Sequence, residues 1–207
     1  MKQDLTTNEI FYRRNLPHWY VEGASYFLTW RLAGTLPVSV IERLRDEYLD
    51  KQINSAVLYE TSDPFFAEYD RLLDQSKTIR HLDDDRIAKI CADALLFYHK
   101  KQYELISFCI MSNHVHAVIT CYDDSKQLNK IMQSIKRHSA RESNKTLGRS
   151  GAFWQEETYD HVIRDEGDLQ RVIDYTINNP VKAELVADWK EWRWTYLHPE
   201  WEIRNKK

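Results

Sequence analysis

His114 and His116 stand one residue apart in the run Ile110-Met111-Ser112-Asn113-His114-Val115-His116-Ala117-Val118-Ile119-Thr120. In an extended strand alternate side chains leave the same face, so both imidazoles project side by side while Val115 enters the core behind them. That arrangement is a two-toothed grip for a metal ion. Far downstream, Tyr175 and Asn179 lie four residues apart, off the buried face formed by Leu169, Val172, Ile173, Thr176 and Ile177. On a helix they are surface neighbours, roughly 5–6 Å apart at Cβ. A phenol, with a pKa of about 10, is a poor nucleophile at neutral pH and needs a cation that polarises the group under attack. Two imidazoles and the Asn179 amide oxygen would hold such a cation and leave positions for phosphate oxygens and water, which is a Lewis-acid arrangement. The nitrogen donors favour Mn2+ over Mg2+, with either ion compatible.

These groups need a frame to bring them together. Residues 24–32 are dense in aromatic and branched side chains and stop at Ala33-Gly34-Thr35-Leu36-Pro37, which predicts a central strand and a turn. Helical spacing of apolar residues predicts helices over 38–50, 65–76 and 85–99, the second opened by Ser62-Asp63-Pro64 and the third with Asp85 as N-cap. Residues 103–110 and 115–121 predict a hairpin with the histidines at the start of its second strand. A helix over about 126–144, a loop near 148–151, a short strand near 161–164 and a helix over about 167–179, stopped by Pro180, follow.

Within 126–149 the bases Lys126, Lys130, Lys136, Arg137, Arg141, Lys145 and Arg149 face one acid, Glu142. Lys130, Arg137, Arg141 and Lys145 fall on one helical stripe opposite Leu128, Ile131, Met132 and Ile135, a layout that tracks a phosphate backbone or, alternatively, forms an ordinary solvated face. Trp154 offers a ring for stacking on unpaired bases. The acids gather elsewhere, from Glu60 to Asp85, so the net charge of −3 hides two segregated signs.

The 207 residues, 43% hydrophobic and 29% charged with five Gly and five Pro, suit one domain over 1–207 with a helical insertion at about 53–100 and an aromatic tail at about 187–207. No apolar run reaches the roughly 20 residues of a membrane helix, and Met1-Lys2-Gln3-Asp4 is no secretory start, so a cytoplasmic protein is expected. Cys91, Cys109 and Cys121 form no CxxC pair and read as reduced, buried residues.

Taken together, Met-Ser-Asn-His-Val-His, Ser134-Ile135-Lys136-Arg137, Gly151-Ala152-Phe153-Trp154-Gln155-Glu156, Tyr159-Asp160-His161-Val162-Ile163-Arg164 and Tyr175 with Asn178-Asn179-Pro180-Val181-Lys182-Ala183 resemble the IS200-like single-tyrosine transposases, of the REP-associated type, within the His-hydrophobic-His single-strand nucleases. The resemblance runs over about 20–197 and is densest over 107–186. Members commonly carry proline where this chain has Ser112, and the acidic segment at 53–100 has no counterpart by resemblance. The likeness implies an α+β fold: a ferredoxin-like or RRM-like antiparallel sheet with helices on one face and the histidines on a central strand. It implies Tyr175 as nucleophile, His114, His116 and Asn179 as ligands of a divalent metal, and single-stranded DNA near hairpin repeats as partner. In such enzymes the tyrosine attacks the scissile phosphate, a 5′-phosphotyrosine forms and a 3′-OH leaves. It further implies a monomer or homodimer at the nucleoid. Two rival readings are a catalytically silent hairpin-binding protein and a zinc-type hydrolase, the latter short of a third His, Cys or acidic ligand nearby.

Overall fold

The computed structural model describes residues 10–13, 17–20, 23–44, 46–47, 64–122 and 128–204. The sequence readings at 48–63, 123–127 and 205–207 lie outside these residues. The described elements are β1 (Ile10–Arg13), β2 (Pro17–Tyr20), β3 (Ser25–Arg31), α1 (Val38–Leu44), α2 (Pro64–Gln75), α3 (Asp85–Tyr98), β4 (Tyr103–Ile110), β5 (His114–Cys121), α4 (Leu128–Thr146), β6 (Tyr159–Val162), α5 (Glu166–Lys182), β7 (Thr195–Leu197) and α6 (Pro199–Arg204). β1 and β2 form a ribbon of their own.

The main sheet has the order β6-β3-β5-β4-β7, with every neighbouring pair antiparallel. Without β7 this is the four-strand order of a ferredoxin-like sheet, as expected. β5, the histidine strand, is the middle one. Alternation sorts its side chains: Val115, Ala117 and Ile119 join Leu28 and Trp30 in a core with Cys91 and Leu95 of α3 and Ile131 and Ile135 of α4. His114, His116 and Val118 face the other way, where Val118 packs with Phe27, with Phe65, Phe66 and Leu73 of α2 and with Val172 and Ile173 of α5. The two crossover helices α3 and α4 thus share one face, while α2 and the tyrosine helix cover the other. Phe66 is fully buried there, and truncating such a ring to alanine costs about 3–5 kcal/mol.

A register shift in β4 between Leu105 and Ser107 resets the alternation, so Phe108 and Ile110 stay on the Leu105 side. Two local expectations change. Asp84, not Asp85, caps α3 by accepting from the Arg86 N–H at 2.9 Å. Asp85 instead takes Arg193 and Trp194 at 2.8 Å each, tying the aromatic tail to α3. Pro180 does not stop α5, which runs on to Lys182. Proline lacks only the N–H that would reach back to Thr176. The carbonyls of Asn179 and Pro180 are still taken up by the N–H groups of Ala183 and Leu185, at 2.9 Å each. Asn179 is therefore fixed inside a helix.

Candidate metal and nucleophile site

His114 and His116 enter this site from β5 with their Nε2 atoms 3.0 Å apart. Each ring is held from behind. His114 Nδ1 lies 2.7 Å from Asn113 Oδ1, and His116 Nδ1 lies 2.8 Å from the Thr29 hydroxyl on the facing strand β3. Phe27 stacks on His116 at 5.6 Å, and Phe66 meets it edge-on at 6.3 Å. These rings set the imidazole planes and exclude water.

The two Nε2 atoms converge on Asp70 of α2, whose Oδ1 is 3.2 Å from His116 and 3.7 Å from His114. Sequence reasoning missed this residue. The available signal was its position: Phe66, Tyr69, Asp70 and Leu73 follow the i, i+3, i+4, i+7 stripe of a buried face, so a carboxylate occupies a core position. Asp70 is fully buried. Burial alone would raise its carboxyl, but facing His116, then His114, and after them the Lys182 ammonium, more than offsets this and holds it well below the usual carboxylate range. His114 moves the other way. Burial, with His116 beside it, pushes it down to about 3, so at pH 7 the ring is neutral and able to act as a ligand. Asp74, one turn along α2, is pushed up to about 6 by burial and by the charge of Asp70.

α5 completes the site. The Tyr175 hydroxyl donates to Asp70 Oδ2 in a short hydrogen bond. Its ring centroid lies 5.7 Å from that of His116 and 5.6 Å from that of Phe66. Lys182, two turns on, places Nζ 2.7 Å from Asp70 Oδ2 and 3.1 Å from the tyrosine oxygen. Burial, followed by the charge of Asp70, raises the Tyr175 phenol, so in this arrangement it keeps its proton. Asn179 is fully buried; its Nδ2 lies 3.5 Å from Asp70 Oδ2.

The residues fit a divalent cation. Asn179 Oδ1 and Asp70 Oδ1 are buried oxygens without a hydrogen-bond donor, and with the two imidazole nitrogens they make a mixed N/O donor set. The sequence-predicted Tyr175, His114, His116 and Asn179 thus meet in one chain, joined by Asp70 and Lys182.

Among the described residues a second group, His99, Glu104 and His198, also clusters. Here His198 Nε2 is 3.4 Å and His99 Nε2 4.0 Å from Glu104 Oε1. Each Nδ1 receives a backbone N–H, from Leu105 to His99 at 2.9 Å and from Glu200 to His198 at 3.4 Å.

The basic residues divide. Lys130, Arg137, Arg141 and Lys145 are exposed along α4, Arg141 beside Glu142 at 2.8 Å, and Arg149 donates to the Ala152 carbonyl at 3.2 Å. Two expected DNA contacts are engaged within the fold. Lys136 is spent on the 156–158 segment, at 2.8 Å from the Glu156 carbonyl and 3.2 Å from the Thr158 hydroxyl, and burial lowers its ammonium to about 8. Trp154 is 7% exposed, donates to Ser139 at 2.9 Å and packs on Trp30, so it offers no free ring face. Between α4 and this segment runs a groove of about 670 Å³, with Lys130 and Arg137 on its rim.

The family model "Transposase IS200 like" matches residues 74–179, which include both histidines, Tyr175 and Asn179 but not Asp70. A putative REP-associated tyrosine transposase of Haemophilus influenzae is 26% identical over 105 residues, covering 46% of this chain and 60% of the relative. A REP-associated tyrosine transposase of Escherichia coli K12 is 23% identical over 101 residues, covering 47% and 56%. The chain thus spans less than two thirds of the length of these curated relatives. It also shares its fold with a REP-associated tyrosine transposase solved bound to a REP hairpin, at a TM-score of 0.57 and 17% identity over 89% of this chain and 80% of that one.

Proposed function

This chain belongs to the IS200-like transposase family, and from that premise and the site's geometry we propose that it is a metal-dependent single-stranded DNA endonuclease and strand transferase with Tyr175 as nucleophile. The observation that carries the reading is the hydrogen bond from Tyr175 to Asp70, the carboxylate on which both histidine Nε2 atoms converge. A cation held by His114, His116, Asp70 and Asn179 would supply Lewis acidity to the scissile phosphate and screen the charge of Asp70. The phenolic oxygen forms a bond to phosphorus as the bond from phosphorus to the 3′-oxygen breaks. The phenol gives up its proton and the leaving 3′-oxygen takes one. Lys182, 3.1 Å from the tyrosine oxygen, favours negative charge there during the exchange. The linkage to tyrosine conserves the phosphodiester, so the 3′-OH of another strand reverses the step.

The exposed stripe Lys130, Arg137, Arg141 and Lys145 is the backbone-tracking surface, and the partner is single-stranded DNA beside hairpin repeats. The protein acts at the nucleoid in the cytoplasm. No described helix is long and apolar enough to cross a membrane.

The test is incubation with single-stranded oligonucleotides copied from inverted repeats flanking the gene, with and without Mn2+. A covalent protein–DNA adduct that needs Mn2+ and vanishes in Tyr175→Phe is expected. Hairpin binding by the wild type with every strand left intact would instead establish a silent binding protein.

A further inference from the structure

Asn113 is 2% exposed at the turn between β4 and β5, and its side chain is fully committed. Nδ2 donates to the Leu73 carbonyl at 2.9 Å and the Ser76 carbonyl at 3.1 Å, both at the C-terminal end of α2, while Oδ1 faces His114 Nδ1 at 2.7 Å. Carbonyls only accept, so the amide nitrogen must lie toward α2 and the amide oxygen toward the histidine. An amide oxygen also only accepts. The proton of the neutral His114 ring is therefore on Nδ1, and Nε2 carries a lone pair aimed at His116 and Asp70. His116 lacks this constraint, because the Thr29 hydroxyl serves as donor or acceptor.

We propose that Asn113 is a positioning residue for the metal site, using its two donations to carbonyls at the end of α2 to fix the proton position on His114. The same helix delivers Asp70, so one side chain couples the seating of the carboxylate ligand to the readiness of the imidazole ligand. The inference rests on the reading of Asp70, His114 and His116 as a metal site, and it concerns binding rather than turnover.

The direct measurement is nitrogen-15 NMR of the full chain, metal-free, at neutral pH. His114 is expected to be protonated at Nδ1 and bare at Nε2; a proton on Nε2 overturns the proposal without any variant. Asn113→Leu removes donor and acceptor together and is expected to weaken Mn2+ binding, measured by calorimetry, about 10–100-fold. Affinity within twofold of wild type overturns it. Asn113→Asp keeps the acceptor but loses both donors. It should retain the Nδ1 proton and lose less affinity than Asn113→Leu, and a shift of the proton to Nε2 sinks the proposal even if the leucine variant does not fold. A chain with the expected tautomer and Mn2+ affinity that forms no adduct with DNA would remove the proposed function and leave this inference standing.

Discussion

Two places in this molecule gather two imidazoles around one carboxylate, and they are wired in opposite senses. Around Asp70 the rear nitrogens of the rings meet side-chain oxygens, Asn113 Oδ1 and Thr29 Oγ1. Around Glu104 they meet backbone N–H groups, those of Leu105 and Glu200. A backbone N–H only donates, so Nδ1 of His99 and of His198 accepts, and the N–H of each ring is on Nε2, which faces Glu104 Oε1 at 4.0 Å and 3.4 Å and has no lone pair for a metal. Residue type and proximity are alike in the two groups. The atom behind His114, His99 and His198 fixes which ring nitrogen keeps its lone pair, while the Thr29 hydroxyl behind His116 accommodates either.

The largest expected effect lies in removing a ligand. His116→Ala should abolish both Mn2+ binding and Mn2+-dependent adduct formation, whereas His198→Gln should leave the Mn2+ stoichiometry of the chain unchanged. Equal losses in calorimetry would break the distinction between the groups. Next, Asp70→Asn should weaken Mn2+ binding by at least about tenfold, since a neutral amide oxygen replaces a buried anionic one, and unchanged affinity would reduce Asp70 to a resting partner of Tyr175 and Lys182.

Acid provides a third test. His114 is held down to about 3, below the ordinary value of about 6.5, so the unfolded chain takes up its proton first. The stability of the metal-free protein should be full above about pH 6.5 and fall as pH drops toward 3, by on the order of 5 kcal/mol at most for this group. Depressed Asp70 adds a loss of the same sign at lower pH. Urea midpoints between pH 7 and 4 would show the slope, and His114→Gln should flatten it. The smallest effect belongs to the second group. His99→Gln should change the unfolding free energy from urea titration by less than about 1 kcal/mol, because the pair it forms with Glu104 is long, at 4.0 Å.

Local periodicity made half of this site legible. The opposite faces of His116 and Val115 follow from the two-residue repeat of a strand, and the pairing of Tyr175 with Asn179 follows from the helical repeat. Asp70 was harder because its neighbours Glu68 and Asp74 make the segment read as a solvated acidic face, although Asp70 sits on the stripe of Phe66, Tyr69 and Leu73 and Asp74 also turns inward, to 3.9 Å from His114 Nε2. Trp154 failed in the reverse direction. Beside a basic helix an aromatic residue resembles a stacking platform, but its indole N–H is claimed by Ser139, a partner fixed only by the fold. The faces of the sheet were predictable from sequence; the bulge in β4, which needs one residue of slippage, carries no such mark.

The central position of β5 also has a consequence in time. Ladders to β3 and β4 hold its amides from both sides, so those around His114 and His116 should exchange with solvent only when the whole domain opens. α2 joins no such ladder; packing and side-chain bonds such as those of Asn113 hold it to the hairpin. The two halves of the ligand set therefore live on different clocks. A cation held by this set would then be expected to exchange with the opening of α2 rather than with that of β5.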